Sequence, residues 1–118
     1  MENLDKEKIE KIIKSRKIAH TFYSKKSAVY QKFCELEQFT YKEGHLSRLQ
    51  KELIAIGISV VIDCESCMEW HIKQAIDKGA TEAEIIEAIE VGIEMGGGPT
   101  TVSARFAMNV LKFYAQTE

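Results

Sequence analysis

Apolar positions recur at helical spacing along the whole chain. Leu4, Ile9, Ile12 and Ile13 form a stripe among charged residues and predict a first amphipathic helix over roughly residues 4–20. Phe22, Val29, Tyr30, Phe33 and Leu36 predict a second helix over roughly 24–39, and Tyr41-Lys42-Glu43-Gly44-His45 reads as the loop after it. Ser47-Arg48-Leu49-Gln50 has capping-box spacing and opens a third helix. From Leu53 to Ile62 that helix is apolar on every side, which predicts a central, buried position. Asp63 is placed to cap a fourth helix ending near Lys78, with Gly79 as its left-handed stop. Thr81-Glu82-Ala83-Glu84 is a second capping box, followed by Ile85, Ile89, Gly92 and Ile93 facing inward and Glu87, Glu90 and Glu94 outward. Gly96-Gly97-Gly98 breaks this fifth helix, and Pro99, at a first helical position, opens the last. No run alternates strictly between apolar and polar residues, so the fold class is all-α, a bundle of about six helices.

The last helix is apolar on more than one side: Val102, Phe106, Val110 and Phe113, but also Ala107, Leu111 and Tyr114. With the third helix, it leaves more apolar surface than one small domain needs, which predicts a homo-oligomer with residues 99–115, Phe113 among them, near an interface. A thick single core is the alternative. The chain has 118 residues, fitting one domain over 1–118, and its net charge of −2 is spread over mixed Lys, Arg, Asp and Glu. No basic tract points to nucleic acid. The charged start, Met1-Glu2-Asn3-Leu4-Asp5-Lys6, has no apolar leader, and the longest apolar run is too short for a bilayer. The expectation is a cytoplasmic protein without a membrane partner. Its three cysteines, an odd number, do not form a disulfide scaffold and read instead as redox or metal chemistry.

That chemistry concentrates in Cys64-Glu65-Ser66-Cys67-Met68-Glu69-Trp70-His71. On a helix, Cys64, Cys67 and His71 fall within an arc of roughly 60°. Cys67 and His71 are neighbours at i, i+4. A Cys-x-x-Cys pair can close a disulfide across one turn, and an imidazole beside it can take the thiol proton to leave a reactive thiolate. Glu52, at the edge of the most apolar stretch, is a carboxylate that needs a partner. Buried inert thiols are one bland reading. Zinc is another, with Cys64, Cys67 and His71 as three ligands and Cys34, His45, Glu52 or water as a fourth. No βαβ pattern supports a thioredoxin-like domain. Cys34 reads as a core residue of the second helix, His20 and His45 as structural, and Trp70 and Met68 as packing residues.

Together these residues spell E-x11-C-x2-C-x3-H, from Glu52 through Cys64 and Cys67 to His71. This resembles the signature of the AhpD-like superfamily, which includes the alkylhydroperoxidase AhpD proteins and the carboxymuconolactone decarboxylase family. Residues 47–55, 79–85 and 95–99 resemble the family's flanking segments, and the likeness covers about residues 22–114. The resemblance implies an all-helical protein assembled as a homotrimer or homohexamer. It implies that Cys67 attacks a hydroperoxide, that Cys64 resolves the product to a disulfide, and that His71 and Glu52 relay protons. It implies no cofactor and no metal, a hydroperoxide or disulfide substrate, and a thiol electron donor protein. Ser66 stands where the better-studied alkylhydroperoxidases carry a second histidine, and a hydroxyl cannot shuttle protons near neutral pH as imidazole does. A lactone decarboxylase is the runner-up activity, although those enzymes generally lack the cysteine pair. A non-enzymatic redox-sensing oligomer is the third reading.

Overall fold

In the computed structural model, which describes residues 3–117 and the side chains of residues 5–115, six α-helices follow one another. They are α1 (Asn3–Lys26), α2 (Ala28–Thr40), α3 (Arg48–Val61), α4 (Glu65–Asp77), α5 (Glu82–Gly96) and α6 (Gly98–Thr117). Among the described residues there is no strand. Met1, Glu2 and the side chain of Leu4, used above to read the start of the chain, lie outside the described residues. No helix among the described residues is long and apolar enough to cross a membrane.

The core lies between α3, α4, α5 and α6. Ile56 and Val60 of α3, Met68, Ile72 and Ala75 of α4, and Ile85 and Ile89 of α5 meet Ala107 and Val110 of α6. The first half of α1 crosses α4 and α6 and adds Ile9. The closest crossing is α3 on α5. A Cβ on Gly92 would stand 2.7 Å from the Gly57 carbonyl oxygen, so these backbones touch only because Gly92 has no side chain. Both expected capping boxes form, Ser47 with Gln50 and Thr81 with Glu84. Gly79 stops α4 at φ 96°, and Gly97, at φ 77°, separates α5 from α6, whose first turn holds Pro99.

Four expectations change. The break between α1 and α2 falls at Ser27, not between His20 and Ser24. Polar residues alone do not end a helix, whereas the Ser27 hydroxyl accepts the Tyr30 N–H at 3.0 Å and starts a new one. Asp63 does not cap α4. It takes φ 53° and ends α3: its N–H reaches the Val60 carbonyl and the Cys64 N–H the Ser59 carbonyl, a Schellman closure. The cap of α4 is Cys64. Third, the several apolar sides of α6 are mostly taken up within its own chain, since α6 touches α4, α5, α3 and α1 at once: Phe113 is 8% exposed, whereas Val102 stays open. Conversely α3 is only half covered, with Ile54, Ile58 and Ile62 open. Fourth, Cys34 is not core, since α2 contains no buried residue and packs substantially only on α1.

Unpartnered apolar surface therefore collects on α2, where Val29 (82% exposed), Phe33, Leu36 and Phe39 point outward, and continues through Ile18 and Phe22 of α1. The radius of gyration, 14.5 Å, exceeds the roughly 13.5 Å expected of a close-packed chain this long, as a projecting α1–α2 hairpin requires.

Candidate functional site

The cysteine pair sits at the N-terminus of α4, beside the end of α3, and His71 lies further along α4, where it meets the first turns of α3. The closure at Asp63 turns the chain so that Cys64 caps α4, its sulfur accepting the Cys67 N–H at 3.2 Å. Cys64 and Cys67 are joined as a disulfide, with their Cα atoms 5.2 Å apart. A sulfur at a helix N-terminus faces the positive end of the helix dipole, which favours its anionic form once the bond is reduced.

One turn beyond Cys67, His71 meets α3. Its Nδ1 is 2.8 Å from Glu52 Oε1. A carboxylate only accepts, so this contact puts a proton on Nδ1 and leaves Nε2 as the ring's acceptor. Glu52 is 1% exposed. A charge so buried needs partners, and it has two: His71, and Arg48 on the preceding turn, whose Nε is 3.4 Å from Oε2. Arg48 is oriented in turn by Gln74 of α4, whose Oε1 accepts from a guanidinium nitrogen at 3.1 Å. Tyr41 packs against the imidazole in a tilted contact, with ring centroids 5.4 Å apart and planes 31° from parallel. Burial, then the charges of Glu52 and Glu37, push the Tyr41 phenol up from its ordinary value, so it stays neutral at physiological pH.

The E-x11-C-x2-C-x3-H pattern forms two bonded pairs, Cys64 with Cys67 at the start of α4 and Glu52 with His71 one turn further along that helix. Among the described residues no three His, Cys, Asp or Glu side chains are grouped to hold a metal ion. His45 is exposed, and His20 bonds the Tyr30 hydroxyl at 2.7 Å on the hairpin. Sequence reasoning missed Tyr41, Arg48 and Gln74. Arg48 could have been found as the residue at i−4 from Glu52 on one helix face. Nothing local marks Tyr41 or Gln74.

A second buried carboxylate was also missed. Glu69, 0% exposed, accepts from the Arg16 guanidinium of α1 and from the Tyr114 hydroxyl of α6. Arg16 also lies 4.8 Å over the Trp70 ring. This cluster ties α4 to α1 and α6. Burial and the hydrogen bond to Glu69 push the Tyr114 phenol well above its ordinary value.

The geometry has counterparts of known family. A protein of Paracoccus denitrificans, described as uncharacterized protein 4 in the cox locus, is 38% identical over 79 residues, covering 67% of this chain and 71% of the relative. The structure of an apo carboxymuconolactone decarboxylase family protein from Legionella pneumophila superposes with a TM-score of 0.82 at 28% identity, covering 89% of this chain and 95% of that one. A Thermotoga maritima protein of the same family, for which a part in antioxidative response has been suggested, gives a TM-score of 0.82 at 25% identity over 90% of this chain and 91% of its own. The sequence profile of the carboxymuconolactone decarboxylase family matches residues 27–109, a span that contains Glu52, Cys64, Cys67 and His71. The chain belongs to the carboxymuconolactone decarboxylase family, within the AhpD-like superfamily.

Proposed function

We propose that this chain is a thiol-dependent antioxidant oxidoreductase that reduces hydroperoxides through a Cys64–Cys67 disulfide. The observation that supports the reading is His71, held by the buried Glu52 one helical turn after Cys67, on the helix whose N-terminus carries the bonded Cys64–Cys67 pair. In the reduced protein, His71 Nε2 takes the Cys67 proton, and Glu52 stabilises the imidazolium. The Cys67 thiolate attacks the terminal peroxide oxygen. An S–O bond forms, the O–O bond breaks, and the alkoxide leaves as alcohol with the proton from His71. The Cys64 thiolate, favoured by its capping position, then attacks the sulfenic sulfur. An S–S bond forms, the S–O bond breaks, and the hydroxide takes up the proton given off by the Cys64 thiol and leaves as water. An external dithiol protein returns two electrons and two protons. The suggested antioxidative part of the Thermotoga relative supports this assignment by analogy. In this reading residues 1–118 act as one domain in the cytoplasm, where thiol donors are kept reduced.

Stopped-flow mixing of the reduced protein with an alkyl hydroperoxide tests it. One equivalent should consume two thiols, with loss of two hydrogens in the peptide spanning Cys64 and Cys67. Cys67→Ser should abolish the reaction, whereas Cys64→Ser should allow one turnover and leave a trappable sulfenic acid. Free thiols at both Cys64 and Cys67 after complete mixing would overturn the assignment.

Self-association belongs to the same proposal, as a trimer or hexamer, but through a different surface from residues 99–115. The outward face of α2 offers apolar residues at 29, 33 and 36, spaced as a helix-packing stripe, and a second copy is the occupant that buries it. Phe33→Glu should shift light scattering toward the monomer mass. An unaltered mass, or a wild-type monomer at micromolar concentration, would remove this face from the account.

A further inference from the structure

We propose that Tyr41 is a positioning residue for the Glu52–His71 pair, its ring holding the imidazole in the orientation that serves Cys67. The inference rests on the relay reading above and extends it to a side chain outside the four-residue motif.

The imidazole is gripped twice. Glu52 holds its Nδ1 at 2.8 Å, and the Tyr41 ring packs against it at a centroid distance of 5.4 Å. Rotation of the imidazole about its bond to the chain would break both contacts. Tyr41 is itself fixed. It caps the C-terminus of α2, with its N–H bonded to the Glu37 carbonyl at 3.2 Å. The turn around it is tied to α3: Lys51 Nζ donates to the Thr40 carbonyl at 3.0 Å and to the Lys42 carbonyl at 2.7 Å. Glu43 accepts the Arg48 N–H at 3.1 Å. The helix that carries Glu52 therefore also sets where Tyr41 sits.

Packing an aromatic ring against the imidazole has a chemical consequence. When His71 takes the thiol proton it becomes a cation, and a ring face within about 6 Å attracts a cation. The groups around it are Glu52 and Arg48 from α3, uncharged Gln74 from α4, and Tyr41 with Glu37 behind it from α2. Of these, Tyr41 is the one that meets the imidazole with an aromatic ring.

The test follows alkylation of Cys67 by iodoacetamide against pH. The reduced full chain is used in a Cys34→Ser background, with mass spectrometry identifying the labelled peptide. Tyr41→Leu should slow alkylation about threefold near neutral pH and move the midpoint of the curve upward. Tyr41→Met, a second aliphatic variant, should do the same. Tyr41→Phe, which keeps the ring, should follow the unmodified curve. A curve moved by His71→Ala but not by the aliphatic variants overturns the positioning role alone. A Tyr41→Phe curve as slow as Tyr41→Leu also overturns it, by assigning the effect to the hydroxyl. A curve that His71→Ala leaves in place overturns the relay and this inference together.

Discussion

Glu52 and Glu69 are two carboxylates of nearly equal burial, each paired with an arginine, yet they serve different ends. Glu52 faces from α3 onto α4, and its second partner is the imidazole of His71, one helical turn after Cys67. Glu69 faces from α4 onto α1 and α6. Its partners are Arg16, which never loses its charge, and Tyr114, whose phenol is pushed further from titration by the contact itself. The difference teaches that burial and an ion pair do not mark a reactive site. On the proposed function, what distinguishes one is an imidazole partner on the helix that carries the cysteine pair. Glu69 locks α4 against its neighbours, and Glu52 uses the helix so fixed.

Arg16→Leu should produce the largest effect on stability and sharpen the contrast. It takes the cation from a carboxylate with no exposure to water and should cost about 3 to 5 kcal/mol in denaturant unfolding. Alkylation of Cys67 in the folded population should stay at its unmodified rate. A changed alkylation rate in folded protein would erase the division between the two clusters. His71→Ala should do the opposite. It should slow reaction with alkyl hydroperoxide about 100-fold, within the usual reach of a lost general base, while leaving the denaturation midpoint closer to the unmodified value than Arg16→Leu does.

Tyr114→Phe removes a hydrogen bond to a charged group and should cost about 1.5 to 3 kcal/mol at neutral pH. It should also change the alkaline limb of stability. With the folded phenol raised above the ordinary value of 10.0, stability is complete below pH 10.0 and falls above it, because the unfolded chain ionises there while the folded one keeps its proton. The phenylalanine variant should lose stability less steeply above that pH. An equal slope in both proteins would sever Tyr114 from the Glu69 cluster. Glu52→Gln should have the smallest effect. It keeps a hydrogen-bond acceptor for His71 but not the charge, which should slow the peroxide reaction about tenfold. A rate equal to that of the unmodified protein would reduce Glu52 to a second Glu69.

The four motif residues were legible because their chemistry depends on spacing along the chain. Three residues between Cys67 and His71, and two between Cys64 and Cys67, place them on one helical face wherever that helix sits. The capping boxes at Ser47 and Thr81 and the stop at Gly79 were legible for the same reason, since each is satisfied within one turn. Asp63 shows the limit of local reading. Its type suits a cap and also suits a left-handed turn, and the choice fell to Cys64, whose sulfur takes the Cys67 N–H in the first turn of α4.

By itself, the sequence determined six helices, most of their ends, and the residues able to carry redox chemistry, because all of these follow from interactions within a few residues. Tertiary structure alone decided which apolar faces close and which stay open. Phe113 and Phe33 are the same residue type on similar helices, yet Phe113 is enclosed by the bundle and Phe33 faces out from the hairpin. It also decided that Glu69 finds Arg16 and Tyr114, that Gln74 orients Arg48, and that Tyr41 packs against His71. These partners lie far apart along the chain or across a turn, and what brings them together is helix packing, for which no local pattern encodes the geometry.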